Sequence, residues 1–185
     1  MKAAFRLTYS VLDKVAYFLN SYLSLGISER QISFRTIWYR NQDAKQGLRS
    51  ELKNYENWPL RGLFWLSKDL FYNPPDFREG LEPDCQNIDQ IRNHAEHKYL
   101  KMHEMISQSS TKGDLTFGKP DPLAFSVSRD DFEAKTMRLF KMTRACLIYL
   151  SLAIHADEQR RRDGMDKETL VLPLTLTTFE DGWKI

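Results

Sequence analysis

The chain has 185 residues, of which 42% are hydrophobic and 12% aromatic, and it carries a net charge of +2. This composition is typical of one folded globular domain and excludes a disordered tail, while Cys85 and Cys146 are too few and too far apart for a zinc finger. Because the net charge is small, any contact with a nucleic-acid backbone requires a local cluster of cations.

No secretory leader is visible, because Met1-Lys2-Ala3-Ala4-Phe5-Arg6 continues directly into mixed polar and apolar sequence. The longest apolar run, Ala145–Ile154, is shorter than the roughly 20 residues that span a bilayer. We therefore expect a cytoplasmic protein without membrane contact, whose thiols stay reduced.

The first half of the chain shows the apolar spacing of helices. Residues 3–25 are predicted to form a long helix that Gly26 ends, and a capping pattern at Ser28 and Gln31 begins a short second element. Pro59 is placed as in a first helical turn, and the helix that follows is stopped by Asn73-Pro74-Pro75.

The second half predicts two more helices, over residues 84–107 and 129–162, separated by a loop rich in Ser, Gly and Pro. Ser128 is the predicted N-cap of the second helix, whose middle is apolar nearly all round and is expected to lie at the centre of the core. The fold class is therefore all-α, a helical bundle of about four to five main helices. We predict a single domain over residues 1–185, with a core at 3–162 and a C-terminal extension at 163–185 that contains a short extended segment.

The predicted helix 84–107 separates apolar from chemically active side chains when it is projected at about 100° per residue. The apolar stripe comprises Ile88, Ile91, Ala95, Met102, Met105 and Ile106. A different sector carries acid–base and anion-binding groups, namely Arg92, Asn93, Glu96, His97, Tyr99 and His103.

These side-chain types suit RNA cleavage without a metal or other cofactor. Arginine presents a planar fork of donors to a phosphate, and histidine can accept a proton from a ribose 2′-hydroxyl or donate one to a leaving oxygen. Asparagine can orient either group. Attack by the neighbouring 2′-hydroxyl is available to RNA and not to DNA, so the predicted substrate is RNA.

At these residues the sequence resembles the HEPN family, whose motif is an arginine, a polar residue, three variable positions and a histidine. Here the motif reads Arg92-Asn93-His94-Ala95-Glu96-His97. The opening Tyr9-Ser10-Val11-Leu12-Asp13-Lys14-Val15-Ala16 and the segment from Asn73-Pro74-Pro75 to the motif resemble a HEPN subfamily found at the C-terminal end of longer proteins.

The resemblance implies an all-α domain that forms a homodimer, with the Arg/His pairs of two copies meeting in a composite active site. It also implies a metal-independent endoribonuclease, or ribonuclease toxin, in toxin–antitoxin or anti-phage defence systems. On this reading Arg92, Asn93 and His97 are catalytic, and Glu96 and His103 support them or contact the substrate.

A tyrosine shortly after the motif adds a regulatory expectation. His97-Lys98-Tyr99 matches a branch of HEPN toxins in which a nucleotidyltransferase antitoxin adenylylates the tyrosine, so the resemblance implies Tyr99 as the acceptor. The expected partners are thus RNA, a second copy, and such an antitoxin or a fused or associated sensor domain.

Simpler interpretations stay open. Arg92 and Glu96 are four residues apart and would form an ordinary surface ion pair, and His94 and His97 would share a metal only with a third ligand that the sequence does not offer. The run Arg160-Arg161-Arg162 suits an RNA backbone or the C-terminal end of a helix dipole. The whole domain could also be a catalytically silent sensor that binds RNA or a nucleotide, or a helical protein-interaction domain.

Overall fold

The structure, a computed structural model, describes residues 1–53, 56–71, 88–97, 99–103 and 124–164. These ranges contain the helices α1 (Lys2–Tyr22), α2 (Ser50–Lys53), α3 (Trp58–Phe71), α4 (Ile88–His97) and α5 (Arg129–Asp163), and the strands β1 (Tyr99–His103) and β2 (Ala124–Ser128). Helices α1, α3 and α5 pack together, and α4 lies against α1. The predicted all-α bundle is confirmed, with a small two-stranded parallel sheet beside it.

Helix α1 buries one side of its surface, as its apolar spacing predicts. The buried residues recur every three or four positions and are Phe5, Thr8, Tyr9, Leu12, Val15, Ala16 and Leu19. The helix ends at Tyr22, and Gly26 adopts a φ of +67° in the turn that follows, a conformation that glycine accepts without a steric penalty. The Asn20 side chain closes this turn by bonding both the backbone N–H and the carbonyl of Ile27, each at 3.0 Å.

Helix α5 begins and ends as the sequence predicts. Ser128 Oγ accepts a hydrogen bond from the Asp131 backbone N–H at 3.1 Å, and acidic residues occupy the first turn. The prediction that the middle of α5 is central needs correction, because only one side of it is buried. The opposite side exposes large apolar residues, including Met137, Leu147 and Ile148.

By length and composition alone, α5 is long and apolar enough to cross a membrane, a property that core helices of soluble proteins share. Its buried side belongs to the hydrophobic core and includes Phe132, Leu139 and Cys146, none of which has measurable exposure. Burial raises the pKa of the Cys146 thiol to about 12, so this cysteine is a neutral core residue at physiological pH.

The predicted helix over residues 84–107 is confirmed for Ile88–His97 and wrong for residues 99–103; its remaining residues lie outside the described ranges. Residues 99–103 form β1, which pairs in parallel with β2 in the register Tyr99–Ala124 to His103–Ser128. Leu100 is buried and Tyr99 and Lys101 are exposed, the two-residue alternation of a strand. Met102, predicted to lie in the helical core stripe, is 37% exposed. The C-terminal segment predicted to be extended, and Met105 and Ile106 of that stripe, lie outside the described residues.

Asn57 connects α3 to α5. Its side-chain oxygen accepts a hydrogen bond from the Leu60 backbone N–H at 3.0 Å, which caps α3, and its Nδ2 donates to the Ala153 carbonyl of α5 at 2.7 Å. The residue is 2% exposed, so water does not compete for these bonds.

An Asn57→Ala substitution is therefore expected to lower the free energy of unfolding by about 1–3 kcal/mol, the combined cost of a lost cap and a lost buried hydrogen bond. Urea unfolding of wild type and variant measures it. Asn57→Ser keeps a capping oxygen, brings in no charge and is too short to reach the Ala153 carbonyl, so it separates the two contributions. An unchanged midpoint in Asn57→Ala would show that this connection contributes nothing.

Candidate active site

Helix α4 carries the motif and is fixed by its apolar side. Ile88 and Ile91 have no measurable exposure, and Ala95 packs against the same core. Because these residues recur at three- and four-residue spacing, the other sides of α4 must face away from the core centre. The motif therefore begins on a rigid, anchored helix.

Arg92 is half-buried and lies against α1. Its guanidinium carbon is 5.2 Å from the centre of the Tyr9 ring, a cation–π arrangement. Its Nη1 donates a hydrogen bond to Asn93 Oδ1 at 3.1 Å. The first two motif residues thus contact each other, and a tyrosine 83 positions earlier in the chain supports the arginine.

Tyr9 is held in turn by Asp89, one turn before Arg92 on the same helix. The Tyr9 hydroxyl donates to Asp89 Oδ1 at 3.2 Å, and Asp89 Oδ2 is 3.7 Å from Arg35 Nη1. Burial, and next the negative charge of Asp89, raise the pKa of Tyr9 far above its ordinary value, so its hydroxyl remains a donor at neutral pH. The edge of the Phe71 ring completes the surroundings at a centroid distance of 6.5 Å.

Asn93 lies between Arg92 and residue 97 around the surface of α4. Residue 97 follows Asn93 by one helical turn, and both belong to α4. Arg92 and residue 97 are five positions apart, which is too far around a helix for adjacent placement, and Asn93 lies between them. The backbone therefore gives the motif the order arginine, asparagine, histidine around one side of α4. The side chains of Glu96 and His97 lie outside the described part of the structure.

His94 takes part in local packing. Its ring stacks on Phe125 of β2 with centroids 4.8 Å apart, and its Nδ1 is 2.8 Å from the Gln90 carbonyl one turn earlier. That nitrogen is engaged within α4, which agrees with a packing role and gives no support to a metal shared with His97.

Two residues that the sequence placed on the helical sector belong to β1. Tyr99 is 78% exposed, and His103 ends the strand, where its Nε2 is 3.3 Å from Ser126 Oγ. His103 thus does not share a helical face with Arg92, and the projection that grouped them was wrong for both residues. The structure brings Arg92 and Asn93 together and leaves His103 on a neighbouring element.

The sequence analysis missed Tyr9, Asp89 and Arg35. Asp89 had a local signal, since its spacing from Arg92 places both on one side of a helix. Tyr9 opens a segment of the family resemblance, but nothing in the sequence tied Tyr9 or Arg35 to the motif, because only long-range packing brings them to α4.

The comparison with protein families found a match that covers most of the chain. The model of the family described as LA2681-like HEPN matches residues 1–157. The chain belongs to this family. The matched region includes α1, α4 and most of α5. It therefore contains both the motif of this HEPN domain and the Tyr9 ring on which Arg92 lies, which we call the Tyr9 platform. No curated protein and no solved structure matches the chain significantly.

The arginine run at the end of α5 has a structural explanation in this HEPN domain. Arg160 and Arg161 both pair with the buried Asp157, at 3.0 and 2.8 Å. Arg161 also lies over the ring of Tyr22 at 4.9 Å, and the Tyr22 hydroxyl is 2.6 Å from Glu158 Oε1 and 3.0 Å from Asp157 Oδ2. This favours the helix-end interpretation over a dedicated RNA contact.

Proposed function

We propose that this HEPN domain is a metal-independent endoribonuclease that cleaves RNA through the ribose 2′-hydroxyl. The observation that carries the proposal is the Arg92–Asn93 contact on the Tyr9 platform, one helical turn before His97, in a chain of the HEPN family. A guanidinium held by a ring and an amide has little freedom left to lose when it binds a phosphate.

The reaction assigns a task to each motif residue. The 2′-oxygen attacks phosphorus, the bond to the 5′-oxygen breaks, and the products are a 2′,3′-cyclic phosphate and a 5′-hydroxyl. Arg92 stabilises the charge that develops on the phosphate oxygens. His97 transfers a proton, either from the 2′-hydroxyl or to the leaving 5′-oxygen, and Asn93 positions either Arg92 or His97. Glu96 steers Arg92. His103, which lies on β1, contacts a part of the substrate farther from the scissile phosphate.

The family resemblance extends the proposal to partners. The active form is a homodimer in the cytoplasm, in which the Arg/His pairs of two copies form one composite site, and the setting is toxin–antitoxin or anti-phage defence. Tyr99 is the residue that a nucleotidyltransferase antitoxin would adenylylate, and its 78% exposure makes its hydroxyl accessible to such an enzyme. A fused or associated sensor domain is the alternative source of control.

The test is cleavage of end-labelled RNA in EDTA, with a matched oligonucleotide in which every sugar is deoxyribose. We expect RNA fragments ending in 2′,3′-cyclic phosphate and no cleavage of the deoxy strand, because the latter lacks the attacking group. The His97→Ala protein, purified identically, serves as the blank for contaminating nuclease.

Cleavage of the deoxy strand, or activity that appears only when Mg²⁺ is added, would contradict the mechanism. Equal cleavage by wild type and His97→Ala would assign the activity to a contaminant or to another part of the chain.

A catalytically silent RNA-binding module is the second candidate, and one observation favours it. The Arg92 guanidinium already contacts Tyr9 and Asn93, so a purely structural role accounts for these contacts. A silent module predicts salt-dependent RNA binding without fragments from a folded protein. A helical protein-interaction domain predicts neither.

A further inference from the structure

Helix α3 presents an exposed side on which aromatic and cationic residues alternate. Trp58, Arg61, Trp65 and Lys68 follow one another at three- and four-residue spacing, so they project within about 80° on the surface of α3. We call these four residues the aromatic–cationic stripe. Tryptophan is a highly buried residue on average, yet the two here are 75% and 64% exposed. The buried residues of α3 lie on the opposite side and fix the helix in the core.

The cations of the aromatic–cationic stripe lie over aromatic rings. The Arg61 guanidinium carbon is 4.8 Å from the centre of the Trp58 ring. Lys68 Nζ is 5.4 Å from the ring centres of both Phe64 and Tyr39. These cation–π contacts hold positive charge next to ring faces. A single strand of nucleic acid presents phosphates and bases side by side, so a surface that binds it needs cations and rings together.

The surrounding segment supplies the local cluster of cations that a chain of small net charge needs to contact a nucleic-acid backbone. Residues 35–71 contain seven Lys or Arg and four Asp or Glu, a net charge of +3 in a chain whose total is +2. Arg35, Arg40 and Lys45 are exposed in the part of this segment that precedes α3. Positive charge concentrated in this way attracts phosphates and makes binding depend on salt.

A pocket beside the aromatic–cationic stripe suits one planar base. Its volume is about 230 Å³, and its walls include Trp38, Phe64, Trp65 and Arg61. The ring centres of Trp38 and Phe64 are 5.8 Å apart, and those of Phe64 and Trp65 are 6.0 Å apart. Aromatic walls stack on bases, and only an unpaired base can turn away from its strand to enter. The pocket therefore favours a single strand over a duplex.

The aromatic–cationic stripe runs toward the motif. Phe71, at the end of α3, lies under Arg35 at 5.7 Å and against the Tyr9 ring at 6.5 Å. The Tyr9 ring in turn supports Arg92. Trp58 and Phe71 are about 20 Å apart along the axis of α3, which corresponds to roughly six nucleotides at about 3.4 Å each. A strand bound along α3 therefore reaches the motif.

We propose that the aromatic–cationic stripe binds an unpaired strand of the RNA substrate. The rings of Trp58 and Trp65 stack on bases, and Arg61 and Lys68 contact phosphates. The role in substrate binding rests on the proposed function, but affinity for a strand does not, because stacking and phosphate contacts require no 2′-hydroxyl. A helix that lies on a membrane surface would instead place its cations and its aromatic residues on opposite sides.

Fluorescence anisotropy of a labelled oligodeoxythymidine measures binding separately from cleavage, because this strand lacks the attacking hydroxyl. Wild type is expected to bind it more tightly than the duplex of the same length. Trp58→Ala and Trp65→Ala are each expected to raise the dissociation constant about 10-fold, the usual effect of removing one stacking ring. Arg61→Gln should lower the slope of log affinity against log salt concentration by about one.

Phe140→Ala is the matched control, because Phe140 is an aromatic residue of α5 that is 43% exposed and lies outside the aromatic–cationic stripe. It should leave affinity for the strand unchanged, and circular dichroism checks that every variant is folded. In RNA cleavage, Trp58→Ala and Trp65→Ala should raise KM and leave kcat close to wild type, because they contact the strand away from the scissile bond.

A wild type that does not bind the strand at roughly 100 µM, the weak limit of sequence-independent binding, would overturn the proposal. Equal affinities of wild type and both tryptophan variants would overturn it as well, whether or not RNA is cleaved. Binding to vesicles of anionic phospholipid without binding to the strand would overturn it in favour of a membrane surface. Strand binding with the expected losses, but without cleavage of RNA, would contradict the proposed function and leave the binding surface established.

Discussion

An Arg92→Ala protein is expected to remain folded and to cleave RNA about 100-fold or more slowly than wild type, the usual cost of removing one donor from a developing oxyanion. The loss should appear in kcat, because the charge on the phosphate oxygens grows in the transition state. Arg92→Lys should recover only part of the rate, since lysine keeps the charge and lacks the planar fork.

Arg92 is not purely a surface residue, so some loss of stability should accompany the loss of activity. Its guanidinium covers the ring of buried Tyr9, and removing it should cost about 1 kcal/mol. Rates are therefore compared at a temperature at which circular dichroism shows every variant to be folded.

The chain offers a matched control for Arg92. Arg161 of α5 also lies over a tyrosine of α1 and also has a carboxylate nearby, but at the opposite end of α1 from the motif. Arg161→Ala should lower stability at least as much, because it also removes an ion pair from the buried Asp157, and should leave kcat within about 2-fold of wild type, as expected for a distant, independent site. If Arg92→Ala and Arg161→Ala lowered kcat equally, the loss of activity would be explained by reduced stability and not by a catalytic role of Arg92.

Much of the helical architecture could be predicted from the sequence. In α1 the apolar residues repeat every three or four positions over many turns, which predicts a helix, and α5 was predicted from its Ser128 cap and the long stretch without glycine or proline that follows. Their ends were predicted within about three residues, because Ser128 and the glycine after α1 act locally.

The stretch after His97 shows where prediction from the sequence fails. Met102 continues the apolar stripe of the predicted helix, whereas Leu100, two positions earlier, falls on nearly the opposite side, so the local pattern decides for neither a helix nor a strand. The strand forms because residues 124–128 supply a parallel partner from a distant part of the chain, and the Lys2 side chain donates to the Leu100 carbonyl at 2.8 Å. Both contacts are long-range, so no pattern within the segment predicts them.

The same limit applies to the candidate site. Arg92 and Asn93 are neighbours in the sequence, so their association could be predicted from the motif. Arg92 was also open to interpretation as half of a surface ion pair with Glu96. The structure adds the ring beneath Arg92, which comes from α1 and converts an exposed helix position into a supported one.

Helix α1 carries two similar tyrosine arrangements, one near each end. Tyr9 donates to Asp89 and lies under Arg92, and Tyr22 shares its hydroxyl proton between Glu158 and Asp157 and lies under Arg161. In both places a tyrosine of α1 is bonded to a carboxylate and covered by an arginine of the neighbouring helix. Only the Tyr9 arrangement adjoins the motif. Comparing variants of Tyr9 and Tyr22 therefore separates an effect on cleavage from an effect on stability.

A Tyr9→Leu protein is expected to lose about 10-fold or more in kcat with little change in KM, because displacement of a catalytic group by about 1 Å is costly. Tyr9→Phe keeps the ring under Arg92 and loses only the bond to Asp89, so it should retain most of the rate. Tyr9→Phe is expected to lower the free energy of unfolding by about 1 kcal/mol. Recovery of rate by phenylalanine, measured by steady-state cleavage, distinguishes positioning of Arg92 from a need for the hydroxyl.

Tyr22→Leu completes the comparison, because it removes the corresponding ring from the arrangement far from the motif. It should destabilise the protein and leave kcat within about 2-fold of wild type. If Tyr9→Leu and Tyr22→Leu lowered kcat equally, or if Tyr9→Phe were as slow as Tyr9→Leu, the ring would not be what positions Arg92. The expected pattern ties cleavage to a contact between the first helix and the motif, since the ring of Tyr9 is the part of α1 that Arg92 rests against.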